Sequence, residues 1–326
     1  MLGGGGVHEK TIQKQTHFIV TVDTETFLVN NRLLPFETNI YGNIDGVEYG
    51  VRKIMEICER YKAKATFFVD VYMYYRYGEN MVRTLCEAIN DRGHDVQLHA
   101  HANWIPNCSD EFVSAYSLQE QINIIAEGKN LISKWTGCVP IAFRAGSYGL
   151  NLDTIRALEA NGFLIDSSYF PLNKNCEMSK QLNNKYQNKL FKIGPVTEIP
   201  VSTYWLICTS FYKKNSKLDI NACLHQEIQD ILPKFINSRI NFVVLFLHSF
   251  SFLRWAKDYS SIRPDHGAMN KLNRILEFIT SFENVDFLTM REAANSPEFA
   301  KEEASDFIPS VNIFRAIPRL LRRLTL

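Results

Sequence analysis

The stretch Phe242-Val243-Val244-Leu245-Phe246-Leu247 is the most continuous apolar run in the chain. A strand with one face in water alternates apolar and polar residues. A strand apolar on both faces must be covered on both, as in a parallel sheet flanked by helices. The run ends in His248-Ser249, so a titratable side chain stands at the end of a buried strand. Phe18-Ile19-Val20-Thr21-Val22 has the same character and ends in Asp23-Thr24-Glu25-Thr26. Two carboxylates at the end of a buried strand are costly unless paired or bound to a cation.

The same unit recurs along the chain. Ala65 to Val71 reads as a second strand and the segment around His94 to His101 as a third. Ile141-Ala142-Phe143 runs into Arg144-Ala145-Gly146-Ser147-Tyr148-Gly149, and Phe163-Leu164-Ile165 ends in Asp166-Ser167-Ser168. Glu198 to Tyr204 is strand-like, and Val285 to Thr289 is a last strand. Helical spacing marks Gly46–Tyr61, Glu79–Arg92, Ser117–Trp135, Asn151–Asn161, Asp219–Asn237 and Asp265–Phe282. Strand and helix thus alternate about seven times, the pattern of parallel βα units. No Gly-x-Gly-x-x-Gly follows a strand and no phosphate-loop lysine occurs, so nucleotide-binding folds lose ground. A closed or partly closed β/α barrel is expected, in which sites form at the C-terminal ends of the strands. Asp23, Glu25, His99, His101, Arg144, Asp166 and His248 all stand at such ends.

Along the third strand, Gln97, His99 and His101 point to one face. Two imidazoles on one face suit a single metal ion, and catalytic zinc sites pair such ligands with an open position. With its 326 residues and 46% apolar content, the chain suits one large domain with extensions. A net charge of +1, from 36 basic and 35 acidic residues, does not point to nucleic acid. Seven cysteines without a Cys-x-x-Cys pair favour reduced thiols in a cytosolic protein. Neither a secretory signal nor a transmembrane run of ~18 apolar residues is read.

These motifs resemble those of the polysaccharide deacetylases, carbohydrate esterase family 4, over roughly residues 16 to 292. Thr21-Val22-Asp23-Thr24-Glu25 resembles the family's first motif and Gly93 to Asn103 its second. Phe143 to Gly149, Ile165 to Ser168 and Leu245 to Ser249 resemble the third, fourth and fifth, in the right order. The resemblance implies a distorted (β/α)7 barrel with parallel strands, covering residues 16–296. It implies a divalent metal, zinc first and Co2+, Ni2+ or Mn2+ after it. Asp23 is then the catalytic base, Arg144 the residue that orients it and His248 the general acid. Glu25, His99 and His101 become the metal ligands, with Asn103 as the other candidate. Ser147, Tyr148, Asp166 and Trp104 are expected to bind substrate, although Asp166 also suits a turn cap and Trp104 the core.

The chain departs from the family pattern at three places. The second carboxylate of the first motif, Glu25, stands one residue further along. The family's second metal histidine, at His-x-x-x-His spacing, falls on Asn103, and variant members with Leu-His-x-His-x-x-Trp favour His101 instead. Gly146 stands where the family usually has proline. The implied function is removal of an N-acetyl group from an amino sugar or glycan in bacterial surface polysaccharide synthesis (lipopolysaccharide, capsule or exopolysaccharide). Two other readings remain: a deacetylase-like barrel that only binds glycan, and a deformylase or amidase acting on a lipid-linked sugar.

Residues 1–15 are expected to be a flexible N-terminus and 297–326 a basic amphipathic tail. In that tail Ile313, Ile317, Leu320, Leu321 and Leu324 share one helical face, with Arg315, Arg319 and Arg322 opposite. Such a segment either lies on an anionic membrane surface, which would place the protein at its cytoplasmic face, or docks on the barrel or a second subunit.

Overall fold

The computed structural model describes residues 15–26, 28–29, 32–171, 173–238, 240–256, 258, 261–301 and 306–324. Apart from Gln15, the expected flexible N-terminus lies outside these residues.

The chain alternates strands with helices in the expected order. β1 (Thr16–Thr24) precedes α1 (Val51–Arg60), and β2 (Ala65–Asp70) precedes α2 (Glu79–Asp91). Next come β3 (Asp95–Ala100), α3 (Leu118–Thr136), β4 (Ala142–Ala145), α4 (Leu152–Ala160) and β5 (Ile165–Asp166). After β5 lie β6 (Phe191–Ile193), β7 (Val196–Glu198), β8 (Thr203–Cys208), β9 (Lys213–Lys217) and α5 (His225–Ile236). β10 (Phe242–His248), α6 (His266–Thr280), β11 (Val285–Phe287) and α7 (Ile313–Leu324) complete the order.

Among the described residues one sheet runs β6-β7-β5-β4-β3-β2-β1-β10, with β11 also paired to the start of β1. Every pairing in it is parallel except β6 with β7. β10 and β7 do not pair with each other; Ser202 and Leu218 bridge from the intervening segment to the backbone of β10. The result is a curled, incompletely closed barrel.

Strand parity sorts the side chains into two layers. Phe18, Val20 and Val22 of β1, with Val243, Leu245 and Leu247 of β10, pack outward against Ile54, Met55, Leu272 and Ile275 of the helices. Ile19, Phe68, Ala142, Ile165, Phe242 and Val244 face inward and make an apolar floor closed by Met290. Above that floor the same inward positions become polar: Thr21 and Asp23, His99, Arg144, and His248. Successive side chains alternate faces, so a strand buried outside delivers every second residue to the barrel interior.

Three elements differ from expectation, one of them the helix expected over 219–237, which begins only at His225 because Asp219 bridges to Phe246. The expected helix 46–61 begins only at Val51, because Asp45 and Gly46 adopt positive φ (52° and 82°) and turn a hairpin between Asn43–Ile44 and Val47–Glu48. Asp-Gly is a favoured pair for such a turn. The expected strand 198–204 splits around Pro200, which has no N–H to donate. Its first part ends β7 in the sheet, and its second part starts β8, which pairs with β9 and bridges at Trp205 to Ser310.

The tail forms α7, which runs through Pro318 and docks on α5 and β8. Ala316 is fully buried there. Arg319 donates to Glu227 (3.0 Å), Tyr204 (2.9 Å) and Ser216 (2.9 Å). Ile313, Phe314 and Ile317 face outward, at 43%, 76% and 40% exposure. Removing one partner of a buried ion pair strands the other charge. Arg319→Ala is therefore expected to lower the unfolding free energy by about 3 kcal/mol in urea titration. A loss under about 1 kcal/mol, the size expected of a surface pair, would show that α7 does not dock through this contact.

Candidate active site

The site lies where the inward positions turn polar. β1 and β10 pair so that Asp23 is opposite His248, and β3 and β4 pair so that His99 is opposite Arg144. Arg144 is fully buried. Its Nη1 donates to Asp23 Oδ1 (2.8 Å) and Thr21 Oγ1 (2.9 Å), while Nε and Nη2 donate to the carbonyl and hydroxyl of Ser167 (2.8 and 2.9 Å). Phe68 and Phe246 flank the guanidinium, with ring centroids 4.2 and 5.3 Å from its carbon. An arginine in the barrel interior is thus paid for by hydrogen bonds and aromatic faces, and its carboxylate partner is held at one angle.

Glu25, His99 and His101 converge beside this pair. Glu25 Oε2 lies 2.9 Å from His99 Nε2 and 2.5 Å from His101 Nε2. One ligand atom from each lies within 4.8 Å of the others. The far nitrogens decide the chemistry. His99 Nδ1 faces the carbonyl oxygen of Arg144 at 2.8 Å, and His101 Nδ1 faces a carboxylate oxygen of Glu111 at 3.1 Å. Both acceptors hold a proton on Nδ1, which leaves a lone pair on Nε2 of each neutral ring. Two nitrogen lone pairs and a carboxylate oxygen then point at one place, an arrangement that asks for a cation. This donor set fits a divalent metal, for which imidazole and carboxylate are ordinary ligands.

The same carboxylates also act on the protons of the two rings. Burial lowers the proton affinity of both histidines. The Glu25 carboxylate, with Asp23 near His99 and Glu111 near His101, outweighs that burial: His99 is raised and His101 is raised well above the ordinary 6.5. Burial raises Glu25, yet the two histidines pull it well below the ordinary 4.5.

The remaining expected residues are placed as follows. His248 Nε2 is 3.7 Å from Glu25 Oε1, its ring stacks on Phe250, and burial lowers its pKa. Ser147 and Tyr148 form a turn of positive φ (50° and 62°) on the cleft wall. Asp166 is buried one strand away, accepts from Ser168 (2.5 Å) and is raised by burial, with Glu198 beside it. Trp104 packs in the outer core at 8% exposure. Asn103 is exposed in the turn Ala102–Trp104.

Gly146 explains how His101 fits. A Cβ at 146 would lie 2.6 Å from the Ala100 carbonyl oxygen and 2.7 Å from His101 Nδ1. The glycine that stands in place of the family's proline therefore leaves the space His101 occupies.

Other residues complete the site without a signal in the motifs. Lys217 donates to the Tyr148 hydroxyl (2.9 Å), pairs with Asp219 (3.1 Å) and lies 3.7 Å from the centroid of Phe246. Asn173 and Asn175, from the Asn- and Lys-rich segment after β5, line the same cleft as Asp23, Glu25, Tyr148 and His248. Asp70 is fully buried at the end of β2, where burial pushes its carboxyl up to about 7. Lys217, Glu111 and the two asparagines sit on excursions whose spacing carries no period. Asp70 does stand at a strand end, the one signal that could have found it.

Comparison with known proteins fits this geometry. The family described as polysaccharide deacetylase matches residues 45–164. Over these residues the chain is similar to that family. The match includes His99, His101, Glu111 and Arg144; Asp23, Glu25, Asp166 and His248 lie outside it, and the fold brings them in. A peptidoglycan deacetylase-like protein, FGM2 of Gibberella zeae, is 31% identical over 123 residues, 36% of this chain and 32% of that protein. The chain thus spans about a third of the length of this curated relative. A solved Mycobacterium smegmatis protein assigned to the polysaccharide deacetylases superposes with a TM-score of 0.61 at 16% identity, covering 92% of this chain and 94% of that one. The 4-alpha-glucanotransferase of Thermococcus litoralis superposes at 0.56 and 14% identity, over 92% of this chain and 42% of that one. At these identities the likeness is one of fold, so the reaction has to be argued from the side chains.

Raised histidines mean that a metal must displace protons to bind. Zinc affinity is therefore expected to rise with pH above the ordinary histidine value of 6.5 and to fall on acidification. Calorimetry at neutral pH in two buffers of different ionisation enthalpy should show net proton release.

Proposed function

We propose that this chain is a metal-dependent deacetylase that removes an N-acyl group, acetyl first, from an amino sugar of a glycan. The observation that carries the reading is the convergence of Glu25, His99 and His101 on one point, 2.9 and 2.5 Å apart, beside an Asp23–Arg144 pair and His248 on one cleft. Residues 16–296 form the catalytic unit in this reading. Glu25, His99 and His101 hold the metal, zinc first, with Co2+, Ni2+ or Mn2+ as other occupants.

Bound there, such a metal supplies Lewis acidity towards an acyl oxygen and makes a water acidic near neutral pH. The protein supplies the rest. Asp23, aimed by Arg144, takes a proton from the attacking water. His248 hands a proton to the sugar nitrogen as the carbon–nitrogen bond breaks, leaving acetate and a free amine. Burial and Lys217 lower the proton affinity of His248, which makes its protonated form a stronger acid. The Ser147–Tyr148 turn, Lys217, Asn173 and Asn175 wall the cleft and position the sugar. The cleft measures ≈ 220 Å³. Small-molecule sites usually run ~300–1,000 Å³, so this one takes the acyl group and the ring that bears it while the rest of the glycan stays outside.

The place of the reaction is part of the same proposal: assembly of a surface polysaccharide on the cytoplasmic side, at a membrane. Its support is the outward face of α7, where Ile313, Phe314 and Ile317 are exposed beside Arg315, with Arg322 and Arg323 following in sequence. Among the described residues no helix is long and apolar enough to cross a membrane, and no disulfide joins the seven cysteines. An apolar stripe with basic neighbours suits an anionic lipid surface. Full-length protein is expected to co-sediment with anionic liposomes at low salt, and Ile313→Ser with Phe314→Ser to stay in the supernatant. Equal recovery of both in the supernatant removes the membrane from the proposal.

The deciding experiment is a zinc titration of metal-stripped protein beside an acetate-release assay on N-acetylated oligosaccharides and an N-formylated set. One tight site, lost in His99→Ala, with acetate release is the expected result. Formate release alone would make the enzyme a deformylase. No tight site in folded wild-type protein would leave glycan binding without catalysis. Asp23→Ala and His248→Ala are expected to keep zinc binding and to lower turnover ~10²–10⁴-fold, the usual contribution of a positioned base or acid.

A further inference from the structure

Glu111 lies in the loop between β3 and α3 and belongs to none of the motifs. Its carboxylate nevertheless joins two halves of the site. Oε1 lies 3.1 Å from His101 Nδ1 and accepts from the Ser147 hydroxyl at 2.5 Å. Its backbone carbonyl accepts from the N–H of Ala102 at 3.0 Å, which fixes the loop against the residue that follows His101.

The two metal-site histidines are thus oriented by different means. His99 gives its Nδ1 proton to a backbone carbonyl, that of Arg144, and no substitution can remove that acceptor. His101 depends on a side chain. Without an acceptor at Nδ1 the ring is free to carry its proton on Nε2, the nitrogen that faces Glu25, or to turn about its χ2 axis. Either change removes the lone pair a metal needs. A carboxylate behind a ligand histidine fixes both tautomer and ring angle and raises ligand basicity.

We propose that Glu111 is a positioning residue for His101: it keeps the proton on Nδ1 and Nε2 turned to Glu25, and through Ser147 it ties this ligand to the turn that walls the cleft. The inference rests on the metal reading of Glu25, His99 and His101. Ser147 is suited to the task because its φ of 50° turns the hydroxyl back from the cleft wall towards the loop that carries Glu111. The arrangement links ligand order to cleft shape, since one carboxylate oxygen serves both contacts.

The test uses metal-stripped full-length protein, zinc titration by calorimetry and the visible spectrum of the Co2+-loaded form. Glu111→Ala is expected to weaken zinc binding ~10–100-fold, the usual effect of losing such a partner, and to change the Co2+ bands. Glu111→Gln keeps an acceptor oxygen and is expected to recover most of the affinity. Ser147→Ala should give a smaller loss in the same direction. Wild-type zinc affinity and Co2+ spectrum in Glu111→Ala that melts like wild type would overturn the role. So would Glu111→Gln binding no better than Glu111→Ala. If Glu111→Ala does not fold, unchanged affinity in Ser147→Ala overturns it instead. Absence of a tight site in wild type would overturn the metal reading and this inference together, an outcome distinct from a tight site that Glu111 does not affect.

Discussion

A guanidinium cannot stand unpaired inside a β-barrel. Arg144 is fully buried between the aromatic faces of Phe68 and Phe246, so its N–H groups must find oxygen without help from bulk water. They find Asp23 and Thr21 on β1, and the carbonyl and hydroxyl of Ser167 just after β5. One side chain therefore ties the ends of β1, β4 and β5 together. Because the backbone carbonyl of the same residue receives His99, the strand that carries His99 is set by it as well. Tight packing of the apolar floor beneath leaves no slack through which these ends could drift.

That arrangement accounts for how much was legible beforehand. The barrel was readable because each parallel strand is apolar on both faces, and helical period returns between strands. The inward polar column was readable because parity is strict: Asp23, His99, Arg144 and His248 occupy positions whose outward neighbours are Val22, Leu98, Ala145 and Leu247. What parity does not reach is the loops and the β8–β9 hairpin. Glu111, Lys217, Asn173 and Asn175 enter the site from segments with no period, placed by long-range contacts such as that of Lys217 with Tyr148. The misplaced boundaries have local causes of the same kind. Helical spacing at Val47 competed with an Asp-Gly turn and lost, and Pro200 ended a strand that its apolar neighbours seemed to continue.

The docking of α7 shows a limit of amphipathic reasoning. The pattern of the tail divides it into an apolar side and an arginine side, and burial of the apolar side is the usual outcome for a helix on a protein. Among the described side chains the buried contact is Ala316 with Arg319, which reaches the buried carboxylate of Glu227 on α5.

Local geometry also explains why the second histidine facing Glu25 stands at 101 and not at 103. β3 ends at Ala100, and the chain turns into a short helical turn over Ala102–Trp104. Residue 101 keeps the inward parity of His99 because the backbone is still extended there. Residue 103 falls on the turn and swings to the surface. A histidine at 101 sits against β4, where a proline ring or any Cβ at 146 would meet the Ala100 carbonyl oxygen and the imidazole. The histidine at 101 and the glycine at 146 therefore go together: an imidazole at 101 requires an empty space across the strand pair, and Gly146 provides it. Once His101 is there, its outer nitrogen faces the loop and not a strand, so its acceptor has to come from a loop side chain. That is the place Glu111 occupies.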